Sequence, residues 1–464
     1  MLRRTAHLLA PLVLLASLAS CSSQGKKLHL TITTGHETDT FSMDPPVTRI
    51  TISAKSPDGS TAVIATTTPG GTFDLGEVVE TESVGFEVSG FDIVGHLVVR
   101  GRSLGAISLL TAGTDTTLPV FAQRVRQWAR PPGELSRVHV GAPTGVLDEQ
   151  YVWQSGGTAY NGTGEIDGKE SDFYDLFNLT GATGPTLDRA PESIVSRGQA
   201  AQLFDAQGGM AIDFSAQTKG DLALPEGLGS FAEIAGGRPV SGTDGTTYIV
   251  GGSRAGGEAS DAVLIIAGDG TLSATRLNSK RLGAAVLVVP DLGLVVAGGS
   301  DEGAGIEVLP SQTTKFVAGG YPIDPVVGAA AVLDPRDTRG LKVLLLGGHE
   351  GGKAAPSRLL DLNCATACPV TPLPTADLPR ALGRGVAFIL SDTQVITVGD
   401  EAAEAPGETH SYVVDLVAAT VTEAVLREPR KGASVVPTPL GTLAMLGGVH
   451  LDGSPAFAVE TFFP

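Results

Sequence analysis

The feature that most constrains this chain is a hydrophobic run that ends in a glycine pair and keeps returning. It reads Thr247-Tyr-Ile-Val-Gly251-Gly252, then Leu294-Val-Val-Ala-Gly298-Gly299, then Val343-Leu-Leu-Leu-Gly347-Gly348. It comes back as Val395-Ile-Thr-Val-Gly399-Asp400 and as Leu443-Ala-Met-Leu-Gly447-Gly448. The first glycines of successive marks lie 47, 49, 52 and 48 residues apart. One Gly-Gly means little in a chain with 61 glycines, but five marks at one spacing, each behind an apolar run, form a repeat. A period near fifty built of short strand-like runs is the sequence sign of propeller blades. Helical periodicity is scarce outside the N-terminus, so the expected fold class is all-β.

Each repeat predicts four antiparallel strands, innermost first, with the mark ending the second. The first strand is entered through an Arg-(x)-Gly-small step: Arg197-Gly198-Gln-Ala, Arg281-Leu-Gly283-Ala and Arg430-Lys-Gly432-Ala. Over residues 117–464 this pattern resembles the kelch family. Kelch blades usually carry a Tyr and a Trp downstream of the glycine pair, whereas this chain has only Trp128 and Trp153. Aliphatic packing must replace them. Tyr151-Val-Trp-Gln-Ser-Gly156-Gly157 is a sixth mark, about two periods ahead of Gly251. A short, degenerate blade is therefore expected over Gly198–Ala235, with Ala211-Ile-Asp-Phe in place of its mark. Seven blades are expected, with six plus an insertion as the alternative. Trp128 precedes every first strand, while the chain ends at Val459-Glu-Thr-Phe-Phe-Pro464 like a third strand with no fourth. A ring whose last blade takes its outer strand from residues 118–127 accounts for both, and closure removes exposed sheet edges.

Residues 28–115 lack the mark. Alternating runs such as Lys27-Leu-His-Leu-Thr-Ile-Thr, Val47-Thr-Arg-Ile-Thr-Ile-Ser, His96-Leu-Val-Val-Arg and Ala106-Ile-Ser-Leu-Leu are separated by Pro57-Asp58-Gly59 and Pro69-Gly70-Gly71 turns. That spacing predicts a small β-sandwich. It resembles immunoglobulin-like or fibronectin-like surface modules in this coarse pattern, which implies a spacer.

The N-terminus carries Arg3 and Arg4, an apolar run from Leu8 to Ala19, and Ser20-Cys21, the layout of a secretory signal too short to span a membrane. Leu18-Ala19-Ser20-Cys21 resembles the bacterial lipobox. That resemblance implies a signal peptide over 1–20, lipidation of Cys21, a tether over 21–27, and sorting to the outer membrane, facing the periplasm or the cell surface. Export into an oxidising compartment makes a Cys364–Cys368 disulfide the default for the two other cysteines. Zinc held by cysteine alone would need two more soft ligands than the chain has.

The formal net charge of −18 excludes nucleic acid as a partner and leaves the Cys21 lipid as the only expected tie to a membrane. On a propeller, the loops after the glycine pairs share one face. They place Arg254, Asp301, Glu302, His349, Glu350, Asp400, Glu401, His450 and Asp452 there as a candidate ligand face. Arg137, Arg197, Arg281 and Arg430 begin inner strands and are candidates to line the channel; the other reading has them bonding neighbouring carbonyls. A copper site like that of galactose oxidase needs a Cys beside one of two Tyr ligands, and both non-lipobox cysteines are already paired. The Asp-box turns of sialidase propellers are absent. No nucleophilic triad, phosphate loop or paired metal motif is present, so no cofactor, no metal and no catalytic residue is expected. The function read from the sequence is a lipid-anchored envelope propeller that binds a protein or a glycan. The alternative is an envelope hydrolase or lyase working at the channel mouth.

Overall fold

The computed structural model describes residues 27–464 apart from 56–60, 71–84, 105–114, 253–256, 301–304, 319, 365–367 and 403–406. The expected signal peptide, Cys21 and most of the expected tether lie outside the described residues. Among the described residues no helix is long and apolar enough to cross a membrane.

The chain is all-β and forms a β-propeller behind an N-terminal sheet. Seven four-stranded antiparallel sheets are found among the described residues. The first comprises Thr144–Leu147, Tyr151–Ser155, Ser171–Asp175 and Thr180–Thr183, and the second Ser193–Arg197, Ala200–Phe204, Gly209–Asp213 and Thr218–Leu222. The third to sixth begin with the inner strands Pro239–Ser241, Ala285–Val289, Ala330–Leu333 and Leu382–Ser391. The seventh comprises Ser434–Pro437, Leu443–Leu446 and Glu460–Phe462, and its outer strand is Trp128–Ala129. Inner strands of consecutive sheets lie side by side from the first sheet to the sixth, and that of the seventh lies against that of the first.

The apolar runs follow from burial on both faces. Successive residues of a strand point to opposite faces. In the second strand of the fourth sheet, Leu294 and Val296 pack toward the third sheet with Val250 and Val263. Val295 and Ala297 pack toward the fifth with Val343 and Leu345. A strand squeezed between two sheets must be apolar at every position, so alternation disappears from the marks. The glycine pair ends each run because the chain linking one sheet to the next crosses there. Gly298 and Gly299 both adopt positive φ, 73° and 66°. A Cβ on Gly299 would stand 2.3 Å from the Leu282 carbonyl oxygen.

The second sheet is regular where the sequence suggested a degenerate blade. Gly198, at φ 54°, forms the tight turn after the inner strand rather than leading into it, and Ala211–Asp213 falls in the third strand. Arg197 therefore ends an inner strand.

The N-terminal strands join in one hydrogen-bonded order: Lys27–Thr33, Asp115–Arg124, Leu97–Arg102, Gly85–Phe91, Arg49–Lys55, Thr61–Thr67. The sequence reading expected two facing sheets. Asp115–Arg124 joins everything because it pairs in parallel with Lys27–Thr33 over its first seven residues and then with Leu97–Arg102 over Ala122–Arg124. Ile50, Ile52, Phe86, Val88, Val99, Leu118 and Val120 fill the core beneath. The stretch 106–110 lies outside the described residues.

That strand also moves two sequence boundaries. Residues 118–124 belong to the N-terminal sheet, because Leu118, Val120 and Ala122 alternate into its core. A turn with Arg126 at φ 60° then redirects the chain, so the strand that completes the seventh sheet is Trp128–Ala129, not 118–127. Trp128 pairs with Phe462 and Ala129 with Thr461. The N-terminal sheet is seated on this seam. Gln123 Nε2 donates to the Thr461 carbonyl at 3.0 Å, and the Arg100 and Arg102 guanidinium groups sit over the Phe463 ring at 5.1 and 5.3 Å.

Candidate functional site at the channel mouth

The sheet-to-sheet linkers enter the inner strands on the face where the glycine-pair loops leave the second strands. Backbone bonds tie these linkers into a chain around the channel: Gly283 N–H donates to Gly252 O, Gly328 N–H to Gly283 O, and Gly385 N–H to Gly328 O. Gly283, Gly328 and Gly432 each stand two residues ahead of an inner strand with φ of 60°, 72° and 66°. At the same step of the sixth sheet stands Arg384, at φ 52°. A left-handed backbone at a bulky residue costs on the order of 1–3 kcal/mol and persists only where the surroundings enforce it. Arg384 is exposed, and its guanidinium makes no hydrogen bond or ion pair among the described residues.

Arg238 meets it from across the ring. It lies in the linker that opens the third sheet, and its Nη1 donates to the Arg384 carbonyl at 3.0 Å. Sheets three and six are not neighbours, so this bond spans the channel. Arg238 is open to water, yet protein surrounds it. That crowding, with the like charge of Arg384, pushes its pKa down to about 10. Asp400 is the acidic member of the group. Burial pushes its carboxyl above the ordinary range, against a 2.8 Å hydrogen bond from Thr409 and the positive charges of Arg384 and Arg238. Two arginines from opposite sides and the Asp400 carboxyl form a cationic collar suited to a carboxylate or a similar anion.

The candidate ligand face is brought together only in part. Arg254, Asp301 and Glu302 lie outside the described residues. His349 and Glu350 open a two-residue hairpin with Lys353–Ala354, and burial lowers the His349 pKa. His450 sits 3.8 Å from Glu428, away from Asp400 in sequence and sheet. Asp452 is spent on the turn, accepting from the Ser454 N–H and hydroxyl. Asp400 and Glu401 alone belong to the collar and its edge, where Arg380 holds Glu401 at 3.0 Å.

Of the two readings of the four arginines, bonds to neighbouring carbonyls rather than places along the channel describe Arg197, Arg281 and Arg430. Arg281 and Arg430 are fully buried between sheets. Arg281 Nη1 donates to Gly298 O at 2.9 Å and its Nη2 to Glu307 at 2.9 Å. Arg430 repeats the arrangement on Gly447 O at 3.3 Å and Glu460 at 2.9 Å. Each glutamate also accepts from the linker backbone, Glu307 from Ser279 N–H and Glu460 from Arg427 N–H. These pairs clamp the linker to the third strand, and desolvation forbids them a channel position. Arg137 donates to Ser171 O and pairs with Glu170 at 2.7 Å. Arg197 caps carbonyls of the third sheet at Gly245, Ile266 and Ala267. The disulfide joins Cys364 and Cys368, whose Cα atoms are 5.5 Å apart.

At the opposite end of the channel is an apolar cavity of about 380 Å³ lined by Leu287, Leu333, Phe388, Ile389 and Pro437. None of its lining residues has an ionisable side chain.

No family model matches the chain, and no curated protein matches it. Solved structures similar to it include the WD40 domain of Neurospora crassa Pan2, at 12% identity and a TM-score of 0.41, covering 72% of this chain and 95% of that one. A chain in the crystal structure of the mitotic checkpoint complex is similar at 9% identity and a TM-score of 0.44, covering 73% of this chain and 94% of that one.

Proposed function

We propose that this chain is a lipid-anchored, exported envelope protein. In this reading a kelch-like, seven-bladed propeller binds a carboxylate-bearing protein or glycan at its channel mouth without turning it over, and the N-terminal strands act as an immunoglobulin-like spacer. The observation that carries the reading is Arg384, in a glycine conformation and with a guanidinium that has no partner among the described residues, with Arg238 reaching across the channel to the same step. The protein lacking residues 1–26 should capture acidic partners from solubilised envelopes and from a glycan array. Arg238→Ala with Arg384→Ala should cut that capture at least tenfold, since each charge-assisted hydrogen bond is worth about 1.5–3 kcal/mol. Undiminished capture would remove the mouth as the site.

A second reading, an envelope hydrolase or lyase at the same mouth, draws on the raised pKa of Asp400 beside two arginines. Asp400→Asn separates the two, because a binder keeps its ligand and an enzyme loses turnover. The anchor rests on the Leu18–Cys21 sequence. Cys21→Ser should release the protein from membranes, and a variant that stays membrane-bound through a salt wash would contradict lipidation.

A further inference from the structure

We propose that the sixth sheet carries a divalent transition-metal site formed by Glu401, Glu408 and His410. One donor atom from each residue lies within 4.8 Å of the other two. His410 stands at the head of the third strand, Thr409–Asp415, and Glu401 ends the second strand beside it. The backbone holds the carboxylates in place, since Glu401 N–H donates to Glu408 O at 2.8 Å. Acidic clusters are common on protein surfaces, and the histidine sets this one apart. His410 is 95% buried at 5% exposure, and its Nε2 has no hydrogen-bond partner. That nitrogen faces Glu408 Oε2 at 4.0 Å, too far for a hydrogen bond. Its other ring nitrogen, Nδ1, lies 3.0 Å from Glu423 Oε1. A carboxylate that accepts a hydrogen bond from Nδ1–H fixes the tautomer that leaves Nε2 with a free lone pair, which is how ligating histidines are oriented. The ring also stacks on Tyr412, with centroids 6.3 Å apart.

An imidazole with two carboxylates selects Zn²⁺ and its transition-metal neighbours over Ca²⁺ and Mg²⁺, which prefer all-oxygen shells. Three protein donors leave at least one position open to water or a ligand. Glu401 and Glu408 are about a third exposed, so their side chains can close the last few tenths of an ångström around an ion. No metal was expected from the sequence, where the cysteines are too few for a zinc site and no paired metal motif appears. This inference stands apart from the proposed anion binding.

The test is calorimetric titration of Zn²⁺ into the chelator-treated full-length protein in detergent, with Ca²⁺ as comparison. One equivalent of Zn²⁺ should bind, more tightly than Ca²⁺. Glu408→Gln, a part-exposed change that leaves the fold intact by circular dichroism, should abolish that event. Glu423→Ala touches no metal but removes the acceptor that orients the imidazole, and it should weaken binding about 10–100-fold. Bound Co²⁺ should show a visible d–d spectrum that both variants alter. Absence of Zn²⁺ uptake, or uptake unchanged in Glu408→Gln, would overturn the site.

Discussion

Arg430→Ala should destabilise the fold by about 3–5 kcal/mol, because it strips a fully buried carboxylate of its charged partner. Glu460 lies at 0% exposure, and Arg430 Nη2 is 2.9 Å from it. The guanidinium also satisfies the Gly447 and Ala458 carbonyls, which would lose their donor. Replacing both partners, Arg430→Met with Glu460→Gln, should cost clearly less. The charge is then gone from both sides, and an amide still accepts from the linker N–H groups of Arg427 and Glu428. Urea denaturation of the two variants measures this. A single-variant loss below about 1 kcal/mol, the range of an exposed pair, would return these arginines to the channel wall. Arg281 and Glu307 form the same clamp in the fourth sheet.

Trp128→Ala should be comparably severe. Trp128 is fully buried between the sixth and seventh sheets among Ile396, Val398, Leu443, Met445 and Phe462. Its Nε1 donates to Ser411 Oγ at 2.8 Å, and its ring centroid lies 5.4 Å from that of Phe462. Truncating a buried tryptophan costs about 3–5 kcal/mol, a large part of a total stability on the order of 5–15 kcal/mol. Trp128→Phe should lose much less, since it keeps most of the buried ring and Ser411 Oγ retains its bond to Ala424 O. The loss is also topological, because Trp128 sits on the strand that closes the ring. Deleting residues 1–124 should leave a cooperative thermal melt. Deleting 1–130 should not, because it bares the Glu460–Phe462 edge. Equal melts for the two truncations would show that the ring closes without Trp128–Ala129.

The repeating parts of this molecule were legible in the sequence. The glycine-pair marks name the second strands because two-faced burial forces unbroken apolar runs, and the sheet linkers force the glycines. Trp128 drew attention because it comes before any first strand. What resisted reading was the strand next to it. Leu118, Val120 and Ala122 alternate like any strand, and only packing shows that they belong to the N-terminal core. The arginines left two readings open for a physical reason: a cation at the start of an inner strand looks the same whether it meets water or the carbonyls and glutamate of a neighbouring strand. Glu307 and Glu460, each the one charged residue in Ile306-Glu-Val-Leu and Val459-Glu-Thr-Phe, were the unread signal. Arg384 had one as well, since Gly383-Arg384-Gly385 interrupts a step that is glycine-small in other sheets. Arg238 had none, because nothing local shows that its side chain crosses the channel.

The account stands or falls on whether Arg384 is kept for its head group rather than for the fold. Arg384→Gly measures this directly when thermal stability and ligand capture are followed together. Glycine takes the left-handed backbone without strain, so the melting temperature should hold or rise, by up to the equivalent of about 1 kcal/mol. Capture of acidic partners should fall at least tenfold. A drop in melting temperature would make Arg384 a structural residue. Capture that survives the change would place ligand recognition away from the channel mouth.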